Sequence, residues 1–248
     1  MAYCQPNTFF LIVFFTFVSC PVAYGADDVS LAINEIPDIL EESKPEGEYA
    51  LLLFKLQQMS SFDLKPTFLP ISRAGKMFDE HKVDCLFPSS LNVYGSKGEA
   101  IQSLALNTAH AYLISLKPFE MDALLMLQKP RYRIAYRRGN TYGGTLNRLE
   151  HHSLVAVNDD MQSFGLLRNG RVDHVLTYMP DALVLLKAEP ETPFYYDRQR
   201  PFYSQNDSIV CHDKPELRRF IDELNMHILQ LTESGELQTL LGEIRFVP

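Results

Sequence analysis

The segment 132–178 constrains the fold more than any other part of the chain. Alternating apolar residues at Ile134 and Tyr136 predict a short strand, and Gly139 ends it. A second apolar run at 154–157 leads into a helical segment, which stops before a third apolar run at 172–176. The order strand, turn, helix, strand, helix, strand predicts a parallel α/β unit.

The turn at residues 139–144 is the candidate ligand-binding part of this unit. A helix predicted to begin at Asn140-Thr141 would leave unpaired N–H groups and a positive dipole end in the turn, where an anion or polar ligand can bind. N-capping alone would also explain Asn140 or Thr141. The glycine pair after Tyr142 allows close backbone approach, so Asn140, Thr141 and Tyr142 become ligand-binding candidates.

Length and composition place the chain among globular proteins. Its 248 residues are 46% hydrophobic, enough for one large domain or two lobes of about 100 residues each. The formal net charge of −8 argues against a nucleic-acid partner.

The first 25 residues resemble a secretion signal. Residues 9–18 are almost wholly apolar, and Ala23-Tyr24-Gly25 offers small residues for cleavage. A run of about ten apolar residues is too short to span a bilayer and suits a signal-peptide core. We therefore expect a periplasmic protein. The alternative is a lipobox at 17–20, which would make Cys20 a lipid anchor.

Removing this signal leaves two cysteines, Cys85 and Cys211. Two thiols in an oxidising compartment can pair, although spacing alone does not prove it. The alternative is that both are buried small hydrophobes.

The rest of the chain predicts two similar lobes. The sequence Lys82-Val83-Asp84 before a strand is echoed by Arg171-Val172-Asp173 before another. We expect a signal peptide at 1–25, lobe 1 at 26–107 plus 201–248, and lobe 2 at 108–200. Clefts between lobes are preferred ligand sites. Other predicted strands lie at 29–33, 64–69, 83–87, 104–106, 111–114 and 208–211, and other helices at 49–58, 70–80 and from 215 onward.

This pattern resembles the bacterial extracellular solute-binding proteins of family 3. The residues that carry the resemblance are Lys82-Val83-Asp84, Gly139-Asn140-Thr141, Gly170-Arg171-Val172-Asp173 and the ending 220–244 with its Gly235-Glu236-Leu237 break. The resemblance implies an α/β type II periplasmic-binding fold, in which each lobe is a mainly parallel sheet flanked by helices and two segments cross between the lobes. It also places the strands of Cys85 and Cys211 side by side, which favours a disulfide.

The resemblance further implies ligand contacts from loops at strand ends. Family members that bind amino acids place an Arg after the first-lobe Val-Asp strand and an Asp beyond the second. This chain has no Arg between Arg73 and Arg131, and Lys97 lies nearest the first place. An ammonium does not reproduce a bidentate guanidinium. Thr177 and Tyr178 occupy the second place, so a free α-amino acid is not the expected ligand.

Further candidates for the cleft come from the first lobe. Each also has a structural interpretation: a solvated turn for Glu35, core packing for Tyr49, a surface ion pair for Arg73, and turn chemistry for the serines. The first-lobe candidates are Glu35, Tyr49, Arg73, Ser89 and Ser90. They add to Lys97, Tyr178 and the residues of the second-lobe turn.

We expect neither a metal nor a cofactor. Adjacent side chains in a helix or strand, such as those of His151 and His152, point in different directions, and no further Cys or His falls at the spacing of metal ligands.

Three functions remain open. The first is a monomeric periplasmic binding protein that captures a small polar solute for the membrane permease of an ABC transporter. The second is a degenerate ligand-binding module that regulates a membrane sensor protein. The third is a dehydratase-like enzyme, for which only Glu35 and Glu99 are placed as acid or base.

Overall fold

A computed structural model describes residues 27–94, 99–118, 132–149 and 153–245. The predicted signal peptide, the alternative anchor at Cys20, Lys97 and His151-His152 lie outside these residues. Within them, no helix has both the length and the apolar character to cross a membrane.

The described chain alternates strands and helices. Its strands are β1 (Asp28–Asn34), β2 (Asp63–Leu69), β3 (Cys85–Ser89), β4 (Ala100–Gln102), β5 (Asn107–Ile114), β6 (Arg133–Arg137), β7 (Ser153–Val157), β8 (His174–Met179) and β9 (Tyr203–His212). Its helices are α1 (Glu48–Met59), α2 (Ile71–Asp79), α3 (Leu91–Tyr94), α4 (Asp160–Arg168), α5 (Asp181–Ala188), α6 (Pro215–Glu233) and α7 (Glu236–Leu241), with 3-10 segments at Tyr142–Leu149 and Gly242–Ile244.

Eight of the nine described strands form one hydrogen-bonded path that passes through two lobes. The order is β2-β1-β3-β9-β5-β8-β6-β7, and β4 also pairs with β9. The C-terminal half of β9 pairs with β3 and β4 in lobe 1, and its N-terminal half pairs with β5 in lobe 2. Pairs within β2-β1-β3 and β7-β6-β8 are parallel. Each lobe therefore has a parallel portion joined to antiparallel crossing strands, and the predicted residue bounds of the lobes stay predictions.

Each lobe has its own apolar core. In lobe 1, α6 repeats apolar residues at helical spacing and buries them against β1, β3 and α1. In lobe 2, α4 packs Phe164 and Leu167 against Ala135 and Val175 of the central strands. Two separately packed cores allow the lobes to move as bodies, with contacts between them deciding their relative position.

A disulfide joins two neighbouring strands of the lobe 1 sheet. Cys85 of β3 lies directly opposite Cys211 of β9 in the antiparallel register, and their sulfurs are bonded. Both residues are fully buried.

Three local predictions need correction. The helix expected from Asn140-Thr141 is a 3-10 segment, interrupted because Gly143 and Gly144 have φ values of 62° and 74°. Residues 104–106 are not a strand, since the N–H of Leu104 donates to the side chain of Asn225 on α6. The predicted strand at 208–211 is only the end of the ten-residue β9.

Candidate functional site

A cavity of about 60 Å³ lies between the two lobes. It is bounded by the ends of β1 and β3 and the start of α2 on one side, and by the turn after β6 and strand β8 on the other. Its lining residues are Asn34, Ile71, Pro88, Ser89, Val93, Gly139, Asn140, Thr141, Tyr178 and Gln205. Polar side chains of both lobes therefore face one small space.

Hydrogen bonds fix the second-lobe wall of the cavity. The phenol of Tyr178 donates to Oε1 of Gln205 at 3.1 Å. Beneath it, Tyr142 stacks on Tyr178 with ring centroids 5.0 Å apart and donates to the carbonyl of Leu176 at 2.8 Å. Nδ2 of Asn140 donates to the Tyr142 hydroxyl at 3.3 Å. Burial raises the pKa of Tyr178 well above its ordinary value, so this wall is uncharged.

Asn34 supplies the main polar group of the first-lobe wall. It ends β1, and its Nδ2 donates to the carbonyl of Pro88 at 2.8 Å. Its Oδ1 is buried and has no hydrogen-bond partner in the described part of the chain. A buried acceptor without a partner costs free energy, so a donor that reached this oxygen would stabilise the site.

The two lobes touch directly beside the cavity. Nη2 of Arg137, at the end of β6, donates to the main-chain carbonyl of Glu35 at 2.9 Å. A Cβ atom on Gly139 would lie 2.3 Å from Cγ2 of Ile71, so only glycine allows this approach. These contacts define a closed arrangement of the lobes.

Behind the contact, Arg137 meets two buried carboxyl groups. Its Nη1 lies 3.6 Å from Asp181 and 3.9 Å from Asp160. Asp160 also accepts a 2.6 Å hydrogen bond from Thr177. Burial, followed by the nearby Asp160, raises the pKa of Asp181 to about 7 despite Arg137. Burial also raises the pKa of Asp160.

A third buried carboxyl group lies where the chain crosses between the lobes. Asp207 of β9 accepts a 2.6 Å hydrogen bond from the Tyr49 hydroxyl, which in turn accepts one from Asn107 at 3.0 Å. Burial raises the pKa of Asp207 to about 6, although the Tyr49 hydrogen bond opposes this. Because Asn107 starts β5, this network ties both crossing strands to α1.

Four of the predicted site residues line the cavity. Ser89 lies at the end of β3, Asn140 and Thr141 lie in the turn after β6, and Tyr178 lies on β8. All four follow or end parallel strands, where side chains of an α/β protein converge on its ligand.

The other candidates lie elsewhere. Tyr49 is fully buried against Phe87 and Asp207, and Tyr142 is buried under Tyr178, so both are core residues. Ser90 is buried beside the cavity but not part of its lining, and Arg73 is exposed on α2. Glu35 meets the second lobe through its main chain.

Sequence reasoning missed Asn34, Gln205 and Arg137. Asn34 is the residue before the candidate Glu35, so the strand-end argument selected the neighbour of a residue that lines the cavity. Gln205 was missed because only the last part of β9 was predicted. Arg137 ends a predicted strand, but nothing in the sequence shows that it meets the opposite lobe.

Among the described residues that line the cavity, none is a carboxyl, imidazole or amine group that could act as the acid or base of the enzyme hypothesis. Glu99 is exposed, and neither Glu99 nor Glu35 is among the described residues around the cavity. In the described part of the chain, no cluster of three His, Cys, Asp or Glu side chains could hold a metal ion.

A larger apolar groove of about 490 Å³ lies elsewhere, bounded by residues of lobe 1 alone, including Leu51, Phe54 and Phe68. Since the second lobe contributes nothing to it, lobe closure cannot enclose a ligand there.

We expect the Asp181→Asn variant to gain stability relative to the wild type as the pH rises. The pKa of Asp181 is raised from 3.8 to about 7 in the folded protein, so the folded state binds more protons than the unfolded state in this window. Stability from this group is therefore present at low pH and lost toward pH 7, by at most about 1.4 kcal/mol per pH unit. Asparagine cannot ionise and removes that loss.

Urea denaturation of both proteins at about pH 5 and about pH 8 checks this. The exposed Asp222→Asn variant is the matched control. Equal pH dependence in the wild type and Asp181→Asn would show that Asp181 does not titrate in this range; Asp160, Arg137 and Asp207, the charged groups nearest to it, would then determine the profile.

Comparison with known proteins identifies the architecture. No protein-family model and no curated protein matches the chain. Among solved structures, it resembles the GluR0 ligand-binding core of Nostoc punctiforme in complex with L-glutamate, with a TM-score of 0.70, 17% identity and coverage of 89% of this chain and 100% of that one.

Two arginine-binding proteins match similarly. An ancestral arginine-binding protein bound to arginine has a TM-score of 0.70, 13% identity and coverage of 90% of this chain and 100% of that one. A periplasmic binding protein of an arginine transport system from Legionella pneumophila has a TM-score of 0.68, 14% identity and coverage of 88% and 100%. The chain therefore has the two-lobed type II periplasmic-binding fold, the architecture that its sequence resemblance to family 3 solute-binding proteins implied.

Proposed function

We propose that this protein is a periplasmic solute-binding protein, which captures a small polar solute between its lobes and presents it to the membrane permease of an ABC-type transporter. The observation that supports this most is the cavity whose polar lining comes from both lobes, with Asn34 and Ser89 on one side and Asn140, Thr141 and Tyr178 on the other. The proposal includes export, a monomeric state and binding without turnover.

The geometry provides a way to couple binding to closure. Each lobe has its own core, and the chain passes between the lobes before β5 and along β9. A solute that bonds to Asn34 in lobe 1 and Asn140 or Thr141 in lobe 2 binds the closed arrangement better than the open one. Such a solute shifts the population toward closure. The permease would then meet a surface that exists only when both lobes are together.

We expect the purified protein to be stabilised by one chemical class of solute. A ligand at a hundred times its dissociation constant raises the free energy of unfolding by about 2.7 kcal/mol, which raises the midpoint of a chain of this size by roughly 5 to 10 °C. Thermal unfolding measures this against amino acids, organic acids, amides, polyols, sugars and polyamines.

The variant Thr141→Val tests the location of the site, because it removes one lining hydroxyl with little change in volume. Thr239→Val, at an exposed position on α7, is the matched control. A ligand response that survives Thr141→Val and every other substitution of the cavity lining would place the binding site elsewhere. The absence of any response would contradict solute binding itself.

The second candidate function, a module that regulates a membrane sensor, is favoured by the contact between the lobes. Arg137, Glu35, Gly139 and Ile71 hold the lobes together through the chain's own groups. Small-angle scattering separates the two functions. A transport protein should become more compact when its solute is added, whereas a permanently closed module should have the same radius of gyration with and without solute.

A further inference from the structure

The cavity lining is uncharged. Among the described residues that bound it, the polar groups are three carboxamides, two aliphatic hydroxyls and one phenol, and none is a cation or a carboxylate. A zwitterionic amino acid buried there would need a partner for each of its charges, because an unpaired buried charge is strongly unfavourable. The lining supplies neither partner.

Among the described residues, the buried charged groups beside the cavity contact one another. Arg137 uses Nη2 on the carbonyl of Glu35, and its Nη1 faces Asp160 and Asp181. Its side chain is only 7% exposed. Arg137 is not among the residues that line the cavity, and its guanidinium already faces two carboxyl groups of the protein.

Gln205 separates the cavity from the third buried carboxyl group. Its Nε2 lies 3.4 Å from Oδ1 of Asp207, while its Oε1 accepts from Tyr178 at 3.1 Å. The other oxygen of Asp207 is taken by Tyr49. Both oxygens of Asp207 thus have partners within the protein, and the residues that line the cavity here are Gln205 and the neutral phenol of Tyr178, not Asp207.

Asn34 indicates which hydrogen-bonding group the ligand needs. Asn34 lines the cavity, its Nδ2 is held by Pro88, and its buried Oδ1 has no partner among the described residues. The free group is thus an acceptor, which requires an N–H or O–H donor. The hydroxyls of Ser89 and Thr141 can both donate and accept, so they suit a ligand with mixed hydrogen-bonding groups.

The space between the lobes is small. A volume of about 60 Å³ compares with about 30 Å³ per water molecule in the liquid and with 300 to 1,000 Å³ for a cleft that holds a drug-sized ligand. In this arrangement of the lobes, the space suits a ligand of few non-hydrogen atoms.

We infer that the cleft binds a small uncharged molecule that bears hydroxyl or amide groups, and not a free α-amino acid. This inference rests on the proposed solute-binding function. It assigns Asn34 as the acceptor for a ligand N–H or O–H, and Ser89 with Thr141 as the hydroxyl contacts from the two lobes.

A charge series of nearly constant size tests this inference. Isothermal titration calorimetry of the full chain would compare glycolamide, which is neutral, with glycine, glycolate and ethanolamine, which are a zwitterion, an anion and a cation; glycerol and urea extend the neutral set. We expect the neutral compounds to have dissociation constants about tenfold or more below those of the charged ones. A charged compound that binds more tightly than glycolamide, glycerol and urea would overturn the inference while leaving solute binding intact.

Two variants test whether binding of the neutral ligand depends on Asn34. Asn34→Ala should weaken the best neutral ligand on the order of fivefold, while Asn158→Ala, at an exposed turn of lobe 2, should leave it unchanged. Binding of neutral compounds that is insensitive to Asn34→Ala would overturn the role of this oxygen. If that variant does not fold, the wild-type charge series still decides the ligand class. Failure of every compound, together with no response to the wider solute panel, would contradict the proposed function itself.

Discussion

Replacing Arg137 with methionine is expected to lower the free energy of unfolding at neutral pH by about 3 to 5 kcal/mol, the usual cost of removing one partner from a buried ion pair. The guanidinium is 7% exposed, lies 3.6 Å from Asp181 and 3.9 Å from Asp160, and donates to the carbonyl of Glu35. Methionine keeps most of the volume but leaves two buried carboxyl groups facing each other without a cation.

The neighbouring residue provides the control for this experiment. Arg138 is exposed, so Arg138→Met changes the same charge at the next position without touching the buried cluster. Urea denaturation should show a large loss for Arg137→Met and a change within about 0.5 kcal/mol for Arg138→Met. Similar small losses in both variants would mean that the ion pair contributes little.

The pH adds a second criterion. Because the pKa of Asp181 is raised to about 7, this carboxyl group is protonated at about pH 5 and no longer needs a counter-charge. The loss caused by Arg137→Met should therefore be smaller at about pH 5 than at about pH 8. Arg137→Lys should give an intermediate loss at both values, because it keeps the charge but not the planar fork of donors.

The regular elements were predictable because their sequence patterns are local. Residues 29–33 and 64–69 alternate or run apolar as strands do, and α6 repeats apolar residues at helical spacing. The helix predicted to begin at Asn140-Thr141 was wrong, because the local sequence pattern was compatible with two backbone structures. The glycine pair after Tyr142 was interpreted as support for a ligand-binding helix start, whereas its left-handed backbone interrupts the helix.

The site was partly predictable, for a related reason. Polar residues at the ends of parallel strands converge in such folds, and this argument selected Ser89, Asn140, Thr141 and Tyr178. It could not show that Arg137 meets the opposite lobe, since that contact depends on how two separately packed bodies come together. Nor could it distinguish a Tyr at a cleft from one in a core, and the structure buries Tyr49 in the core of lobe 1.

Similarity to a family indicates the architecture but not the ligand. Many sequences share the burial pattern that forms one architecture, whereas the choice of ligand depends on a few side chains. The sequence resemblance predicts that this chain lacks the two side chains that anchor an amino acid in the resembling family, and the described cavity lining is neutral. The fold therefore supports a proposal for where a solute would bind without indicating which solute.

Removing the disulfide is expected to produce the other large effect. Cys85 and Cys211 are separated by 126 residues, and the entropy of closing a loop of about 100 residues corresponds to about 4.7 kcal/mol in the chain-entropy model. We expect the Cys85→Ala/Cys211→Ala variant to lose about 3 to 5 kcal/mol of stability. Alanine at these fully buried positions adds a smaller loss of packing.

Reduction of the wild type separates these two contributions. A reducing agent opens the loop but keeps both sulfurs in the core, so reduced wild type should lose most of the stability that the double variant loses. The double variant, which has no bond to break, should have the same denaturation midpoint with and without the reducing agent. Equal midpoints for oxidised and reduced wild type would contradict the loop-closure argument, and two free thiols by mass measurement would show that the bond does not form.

The position of the disulfide determines which strands should lose hydrogen-exchange protection when it is reduced. It links β3, from the first passage of the chain through lobe 1, to β9, where the chain returns after the whole of lobe 2. The closed loop thus contains every strand of lobe 2, while the core of lobe 1 lies at its base. Opening the loop should reduce hydrogen-exchange protection first in β9 and β3, because their pairing then depends on main-chain hydrogen bonds and packing alone. Protection that falls first in β6 and β7 would instead place the weakest unit in lobe 2 and leave the bond without a role in the crossing strands.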